Sequence, residues 1–333
     1  MKMELWDKDP SRILFVSDYL LRDKDILMMV PGMSYRTRDQ VFVALCSWGT
    51  CQSARGIFGD RLEVGPKLAQ WATNEWETRV KPSMDLRQAT SADGDERLYD
   101  YQRAGVQWLK FSRRGVLGDD MGTGKTIQSI TALRELQLAG EDIGPALVVA
   151  PNNMLLTWKK ELAKWFPEAT AAVIKGTKAK REKIIAEGAD FFIINWEGVR
   201  GHSRLAPYGS IRLKRCVVCN PSLENIPYNA QSRCESCPAS LNKVRFRTLV
   251  LDEAHRMKDP KAKQSRAVKS LATEETEFIF ALTGTPIADG PQDFWPALNM
   301  VAPEDWPARV PFIDRYCLTY LNPWAGQLDI MGL

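Results

Sequence analysis

The run GDDMGTGKT, residues 118–126, constrains this chain more than any other stretch. A short apolar segment at 116–117 leads into it. Behind it Ile127, Ile130, Leu133 and Leu136 recur at helical spacing until Gly140 can end the helix. A strand, a glycine-rich turn and a helix in this order let backbone N–H groups turn inward around an anion, with the helix N-terminus adding its dipole. Gly122, Thr123 and Gly124 would form the turn. Lys125 would supply a mobile positive charge for terminal phosphates, and Thr126 is placed to ligate magnesium. The general pattern for such loops has glycine where Asp119 stands, so the match is not strict. A chance GKT in a glycine-containing turn is the competing reading.

Apolar runs at 146–150, 191–194, 248–251 and 278–282 show little polar alternation, as strands buried on both faces require. After the first of them Leu155, Trp158, Leu162 and Trp165 repeat at helical spacing until Pro167. Alternating strands and helices imply an α/β fold, a parallel sheet with helices on both faces and ligands at the carboxyl ends of its strands. Residues 1–90 read as a small N-terminal α/β module, with strands at 26–30 and 41–45 and helices near 53–57 and 66–76. The polar stretch QATSADGDE then sets a linker at 91–97. The sheet would occupy 98–310, and 311–333 would form a tail ending in a loop-like NPWAGQLDIMGL. At 333 residues, with 44% hydrophobic and 26% charged side chains, disordered and coiled-coil classes are excluded. No run of about 18 apolar residues occurs, and Glu4, Asp7 and Asp9 stand where a signal peptide needs an apolar stretch, so no membrane partner and an intracellular setting are expected.

A second element supports the phosphate reading. TLVLDEAH, residues 248–255, places Asp252 and Glu253 at the end of a buried strand, where adjacent carboxylates are costly without a cation or a catalytic duty. Asp252 would hold magnesium through water, and Glu253 would orient and deprotonate the attacking water. A carboxylate pair that is merely solvated is the plain alternative.

The order LYDYQRAGVQWL, LGDDMGTGKTIQ, LVVAPNNMLLTWKKEL, FIINWE, LVLDEAHRMKDPKAKQSRAVKSL and ALTGTPI resembles the first motor lobe of Swi/Snf-type ATPases in helicase superfamily two. The resemblance runs from Leu98 to about Leu298. It implies a RecA-like lobe that binds ATP with magnesium and belongs to a DNA-dependent ATPase translocating on double-stranded or branched DNA. Asp119 is no anomaly there, since the family carries an acidic residue at this point. Gln102, near Tyr99 and Tyr101, would read adenine, with a surface glutamine as the alternative. His255 would link the nucleotide to Thr283, Gly284 and Thr285, with a satisfied core histidine as the alternative. Segments near 151–153, 196–198 and 256–258 resemble DNA-tracking loops. The family motor also needs a second RecA-like lobe bearing an arginine finger, on another chain or in a longer parent protein. Without it hydrolysis would be very slow.

Between the FIINWE and DEAH segments, at about 205–245, lies an insertion with two CxxC pairs: Cys216 with Cys219, and Cys234 with Cys237. Two such knuckles fit a structural zinc ribbon of four thiolates, with an iron–sulfur cluster as a minor alternative. Fifteen basic against five acidic residues lie between Arg200 and Lys269. A basic face therefore survives metal binding, although the whole chain is only +4. Arg212, Lys214, Arg215 and Arg233 could touch nucleic acid. Cys46, Cys51 and Cys317 read as core or surface thiols. In the N-terminal module the segment 47–72 distantly resembles modules preceding the motor in annealing helicases; Trp48, Arg55 and Arg61 could serve a DNA junction, although packing against the motor is the favoured role. Two further readings stay open: a non-catalytic, nucleotide-regulated nucleic-acid-binding module, and a phosphate-loop kinase that leaves the DEAH and TGTP segments unexplained.

Overall fold

The computed structural model describes residues 1–17, 23–30, 32–82, 95–203, 240–287, 289–322 and 327–332. The chain divides into two compact units, residues 1–88 with 308–333, and residues 89–307.

The first unit opens with β1 (Lys2–Trp6) and β2 (Asp9–Val16), which pair antiparallel. Then come α1 (Lys24–Leu27), β3 (Ser34–Arg36), β4 (Val41–Leu45), α2 (Trp48–Phe58), β5 (Glu63–Val64) and α3 (Pro66–Glu75). The sheet order is β3-β4-β2-β1-β5. Met3, Ile13, Phe15, Leu27, Phe42, Ala54, Phe58 and Leu68 form its core. One expectation fails here, and one helix is longer than expected. The run at 26–30 is a helical turn, because Leu27 and Val30 are buried while Ile26, Met28 and Met29 are exposed. That spacing is helical, not the alternation of a strand. The helix expected at 53–57 begins five residues earlier, where the Ser47 side chain accepts the Thr50 N–H.

The second unit contains α4 (Asp100–Ser112), β6 (Arg114–Leu117), α5 (Lys125–Leu138), β7 (Ala146–Ala150), α6 (Leu155–Trp165), β8 (Ala171–Val173), α7 (Lys178–Glu187), β9 (Phe191–Asn195), α8 (Trp196–Val199), β10 (Thr248–Asp252), α9 (Lys263–Lys269), β11 (Phe278–Leu282) and α10 (Trp295–Val301). Its six strands are parallel in the order β6-β11-β10-β7-β9-β8. Side chains on a strand alternate between faces. Val148, Ile193, Val250 and Phe280 accordingly join one core with Leu133, Trp158 and Leu162, whereas Val149, Ile194, Leu251 and Ile279 join another with Trp196, Met257 and Val268. Helices thus cover both faces, as expected. The short edge strand β8, whose residues are only half-buried, went unanticipated.

On either side of residues 204–239 the chain is tied together near Ser203 and Leu241. Leu241 N–H donates to His202 O at 2.9 Å, Ser203 Oγ donates to Ala267 O at 2.7 Å, and Asn242 Nδ2 donates to Ser270 O at 2.9 Å. The remainder of the first unit comprises α11 (Arg309–Tyr316), β12 (Leu318–Asn322) and β13 (Gln327–Gly332). The last two pair antiparallel, so the expected loop-like tail is a hairpin. Leu328 and Ile330 alternate with Gln327 and Asp329, a strand pattern on one side of Pro323 and Gly326. Among the described residues no helix is long and apolar enough to cross a membrane.

Candidate functional site

Sheet register brings the motifs together. Leu117 lies opposite Leu282, and Leu282 opposite Asp252. The segments that follow these residues therefore leave the sheet at one edge, the carboxyl edge expected for ligands.

Gly122 and Gly124 have φ of +80° and +82°, a region in which L side chains are disfavoured. A Cβ at Gly124 would also come within 2.5 Å of Gln102 Nε2. α5 starts directly after this turn, leaving its first N–H groups without helical partners. Lys125 Nζ donates to the carbonyl oxygens of Asp119 and Asp120, each at 2.7 Å. The ammonium therefore spans the turn, and exchanging two carbonyl oxygens for phosphate oxygens keeps the same number of hydrogen bonds. This cradle fits a chain of phosphates.

Beneath the turn lies a residue that sequence reasoning missed. Gln128 is fully buried, its Nε2 donating to Asp119 Oδ2 at 3.1 Å and approaching Thr123 O at 3.3 Å. This explains the acidic residue at the first glycine position, since Asp119 anchors the turn to α5. An amide among the apolar core positions of α5 was the available signal. Gln102 also holds the turn. Its Nε2 donates to Thr123 O at 2.9 Å and its Oε1 accepts the Tyr99 N–H at 3.1 Å. It is buried, not the surface glutamine of the alternative reading. Tyr99 and Tyr101 stack beside it, exposed, with ring centroids 5.8 Å apart.

Asp252 is 7% exposed, and burial pushes its carboxyl above the usual carboxylate range. The charge of Lys125 acts in the opposite direction. Burial and the neighbouring Glu253 charge outweigh Lys125, so the carboxylate is left undercompensated, a deficit that a metal cation would fill. Two buried indoles hold Asp252: Trp158 Nε1–H donates to Oδ2 at 2.8 Å, and Trp196 Nε1–H donates to the main-chain oxygen at 2.9 Å. Neither contact was foreseen.

Glu253 takes left-handed backbone angles, φ 54° and ψ 53°, which cost a non-glycine residue about 1–2 kcal/mol. Its Oε2 lies 3.3 Å from His255 Nδ1, but the approach lacks hydrogen-bond geometry, leaving that oxygen a buried acceptor with no donor. The same nitrogen is 3.1 Å from Thr283 Oγ1 and 3.3 Å from Thr285 Oγ1. His255 therefore joins the acid pair to the segment after β11. A Cβ at Gly284 would sit 3.5 Å from Lys125 Nζ, so this segment also borders the glycine turn.

The three segments likened to tracking loops differ in exposure. Asn152 and Asn153 are exposed. Trp196 and Gly198 are buried and face no solvent, which leaves Glu197, paired with Arg256 at 3.1 Å. Lys258 is exposed and pairs with Asp289. Cys216, Cys219, Cys234 and Cys237, with Arg212, Lys214, Arg215 and Arg233, lie outside the described residues. Among the described residues no cluster of three or more His, Cys, Asp or Glu could hold a metal. Cys46 and Cys51 are half-buried, burial pushing their thiols up to about 12 and about 11; Cys317 is half-buried too. Trp48 packs on Trp76, with ring centroids 5.5 Å apart.

The SNF2-related domain family matches residues 101–319. Human chromodomain-helicase-DNA-binding protein 6 is 27% identical over 321 residues, covering 92% of this chain and 11% of that protein. The ISWI chromatin-remodeling complex ATPase ISW1 of Saccharomyces cerevisiae is 28% identical over 214 residues, 62% of this chain and 16% of that protein. Among solved structures, the Sulfolobus solfataricus SWI2/SNF2 ATPase core in complex with dsDNA is 26% identical, covering 64% of this chain and 37% of that one, with a TM-score of 0.48. The chain thus spans a small fraction of the length of these curated relatives. With the match extending over well over half its residues, and with the glycine turn and acid pair inside it, this chain belongs to the SNF2-related domain family.

Proposed function

We propose that this chain is the ATP-binding lobe of a DNA-dependent ATPase that translocates on double-stranded or branched DNA, and that it works with a second RecA-like lobe. The observation that carries the reading is the meeting, at one sheet edge, of the Lys125 ammonium, the buried Asp252 carboxylate, the donor-free oxygen of Glu253 and the His255–Thr283 contact.

In this reading Gly122, Thr123 and Gly124 present main-chain N–H groups to phosphates, and Lys125 moves from its carbonyls to the terminal phosphate. Thr126 and Asp252 hold magnesium, which when bound neutralises developing charge on the phosphates. Glu253 orients a water and takes its proton, for which its donor-free oxygen is suited. The exposed tyrosine pair and Gln102 receive the adenine. His255 relays the phosphate state to Thr283 and Thr285. Exposed Asn152, Asn153 and Lys258, with the basic stretch between Arg200 and Lys269, supply contacts for a DNA backbone. Cys216, Cys219, Cys234 and Cys237 hold a structural zinc.

An arginine finger contributes about 10³ to 10⁵ in rate, so the chain alone binds nucleotide but turns it over slowly. The far greater length of its relatives supports a partner lobe elsewhere. The test is to measure magnesium-dependent ATP binding, then ATPase activity with and without duplex DNA, for the chain alone and mixed with a candidate second-lobe protein. Binding lost in Lys125→Ala, together with duplex-stimulated turnover only in the mixture, is expected. Unchanged nucleotide retention in Lys125→Ala would end the proposal.

A further inference from the structure

A buried indole N–H needs an acceptor, and almost any main-chain oxygen would do. Two indoles from different elements instead converge on Asp252. Trp158 belongs to the core on one face of the sheet and Trp196 to the core on the other, so the residue is gripped from both sides. Each indole is also rigidly joined to a segment assigned to the DNA path. Trp158 sits in the first turn of α6, which continues directly from the turn at Asn152–Met154. Trp196 opens α8 directly after β9, beside the exposed Glu197 that pairs with Arg256. Trp158 is 1% exposed and Trp196 fully buried, so neither ring shifts without its helix.

We infer that Trp158 and Trp196 are positioning residues that couple the DNA-facing segments to the magnesium carboxylate, Trp158 by fixing Oδ2 of Asp252 and Trp196 by fixing its main chain. The inference rests on the duplex-DNA reading above. A displacement of the 152–154 turn or of α8 on a phosphate backbone reaches Asp252 through one hydrogen bond in each case, with no intervening side chain. Trp158→Phe keeps an aromatic ring, smaller than the indole, and removes the donor, leaving Oδ2 free to rotate.

The test uses the 333-residue chain and a non-hydrolysable ATP analogue. Two ratios are measured by titration: the gain in analogue affinity on replacing EDTA with magnesium, and the change in magnesium–analogue affinity on adding a short duplex. In Trp158→Phe the metal gain falls by about ten- to a hundredfold, the worth of one hydrogen bond to a charged group, while metal-free affinity is unchanged. In both Trp158→Phe and Trp196→Phe the duplex effect falls to near unity while duplex affinity persists. A residue that only packs the core would lower the melting temperature and leave both ratios alone, and that result overturns the inference. If the unsubstituted chain binds no duplex, the DNA reading fails by itself and the metal ratio still judges Trp158. Should a variant not fold, the indole N–H resonances of the unsubstituted protein decide. Both shift on adding magnesium–analogue and again on adding duplex, and static resonances refute the coupling.

Discussion

Alanine at position 105 should invert an ordinary rule. Gly105 lies inside α4, where glycine is about 1 kcal/mol worse than alanine, so Gly105→Ala ought to stabilise the helix. A Cβ there, however, would lie 1.8 Å from Gln128 Oε1 and 3.0 Å from its Cδ. Gln128 is fully buried, and its Oε1 is the atom that must give way. Its amide must swing away from Asp119 Oδ2 and Thr123 O. The bond to Asp119 is charge-assisted, worth about 1.5–3 kcal/mol, and the longer contact to Thr123 adds about 0.5 kcal/mol. Against the helix gain, the net change is a loss of about 1–2.5 kcal/mol, or roughly 2–10 °C in melting temperature for a unit of this size. The glycine turn loses its floor at the same time, so magnesium–ATP affinity should fall several-fold. Gln128→Ala makes room for the methyl group, and in that background Gly105→Ala should regain its stabilising sign. Thermal melts of the four proteins, with nucleotide titrations, check the cycle. A single Gly105→Ala variant that melts higher and binds nucleotide normally would refute the reasoning.

Lys269 is buried, donates to Asn299 O at 2.9 Å, and burial lowers its pKa from the usual 10.5 to about 8. The unfolded chain then binds more protons between pH 8 and 10.5. Stability attributable to this residue therefore rises with pH through that window, by on the order of 3 kcal/mol, and Lys269→Met should be more stable at pH 7 and lack the rise. Denaturant melts of both proteins across pH 7–11 test this, and parallel curves would contradict it. Glu253→Gln should preserve nucleotide and duplex affinity yet slow turnover in a mixture with the second lobe by at least about a hundredfold, as single-turnover assays would show. Replacing Cys216 and Cys219 with serine should release about one zinc per chain by metal analysis, and zinc-free native protein would remove the site.

How much of this was legible follows from where each signal resides. The glycine turn, the acid pair and the buried strands are local patterns, and a chain segment must satisfy them with its own residues. β8 has three half-buried residues and no periodicity to display. The run at 26–30 is apolar throughout, so only tertiary burial of Leu27 and Val30 separates helix from strand. Gln128 stands in the sequence as an amide among apolar core positions, but its partners Asp119 and Gly105 show only in the fold. The Trp158–Asp252 bond joins residues 94 positions apart, and Trp196 reaches the same residue across 56. In the sequence Trp158 looks like an ordinary core residue and Trp196 like part of a tracking loop, because a side-chain donor aimed at a distant acceptor leaves no local mark.

The tie between His202 and Leu241 has a consequence of its own. Two stretches of chain held side by side by their own main-chain hydrogen bond behave like a socket, since residues 202 and 241 make that contact themselves. Doubling the length of the joining chain adds only about 0.6 kcal/mol of closure entropy. A molecule made this way can gain, swap or shed an attachment at that point during evolution, or accept a reporter from an engineer, while the nucleotide edge stays as it was.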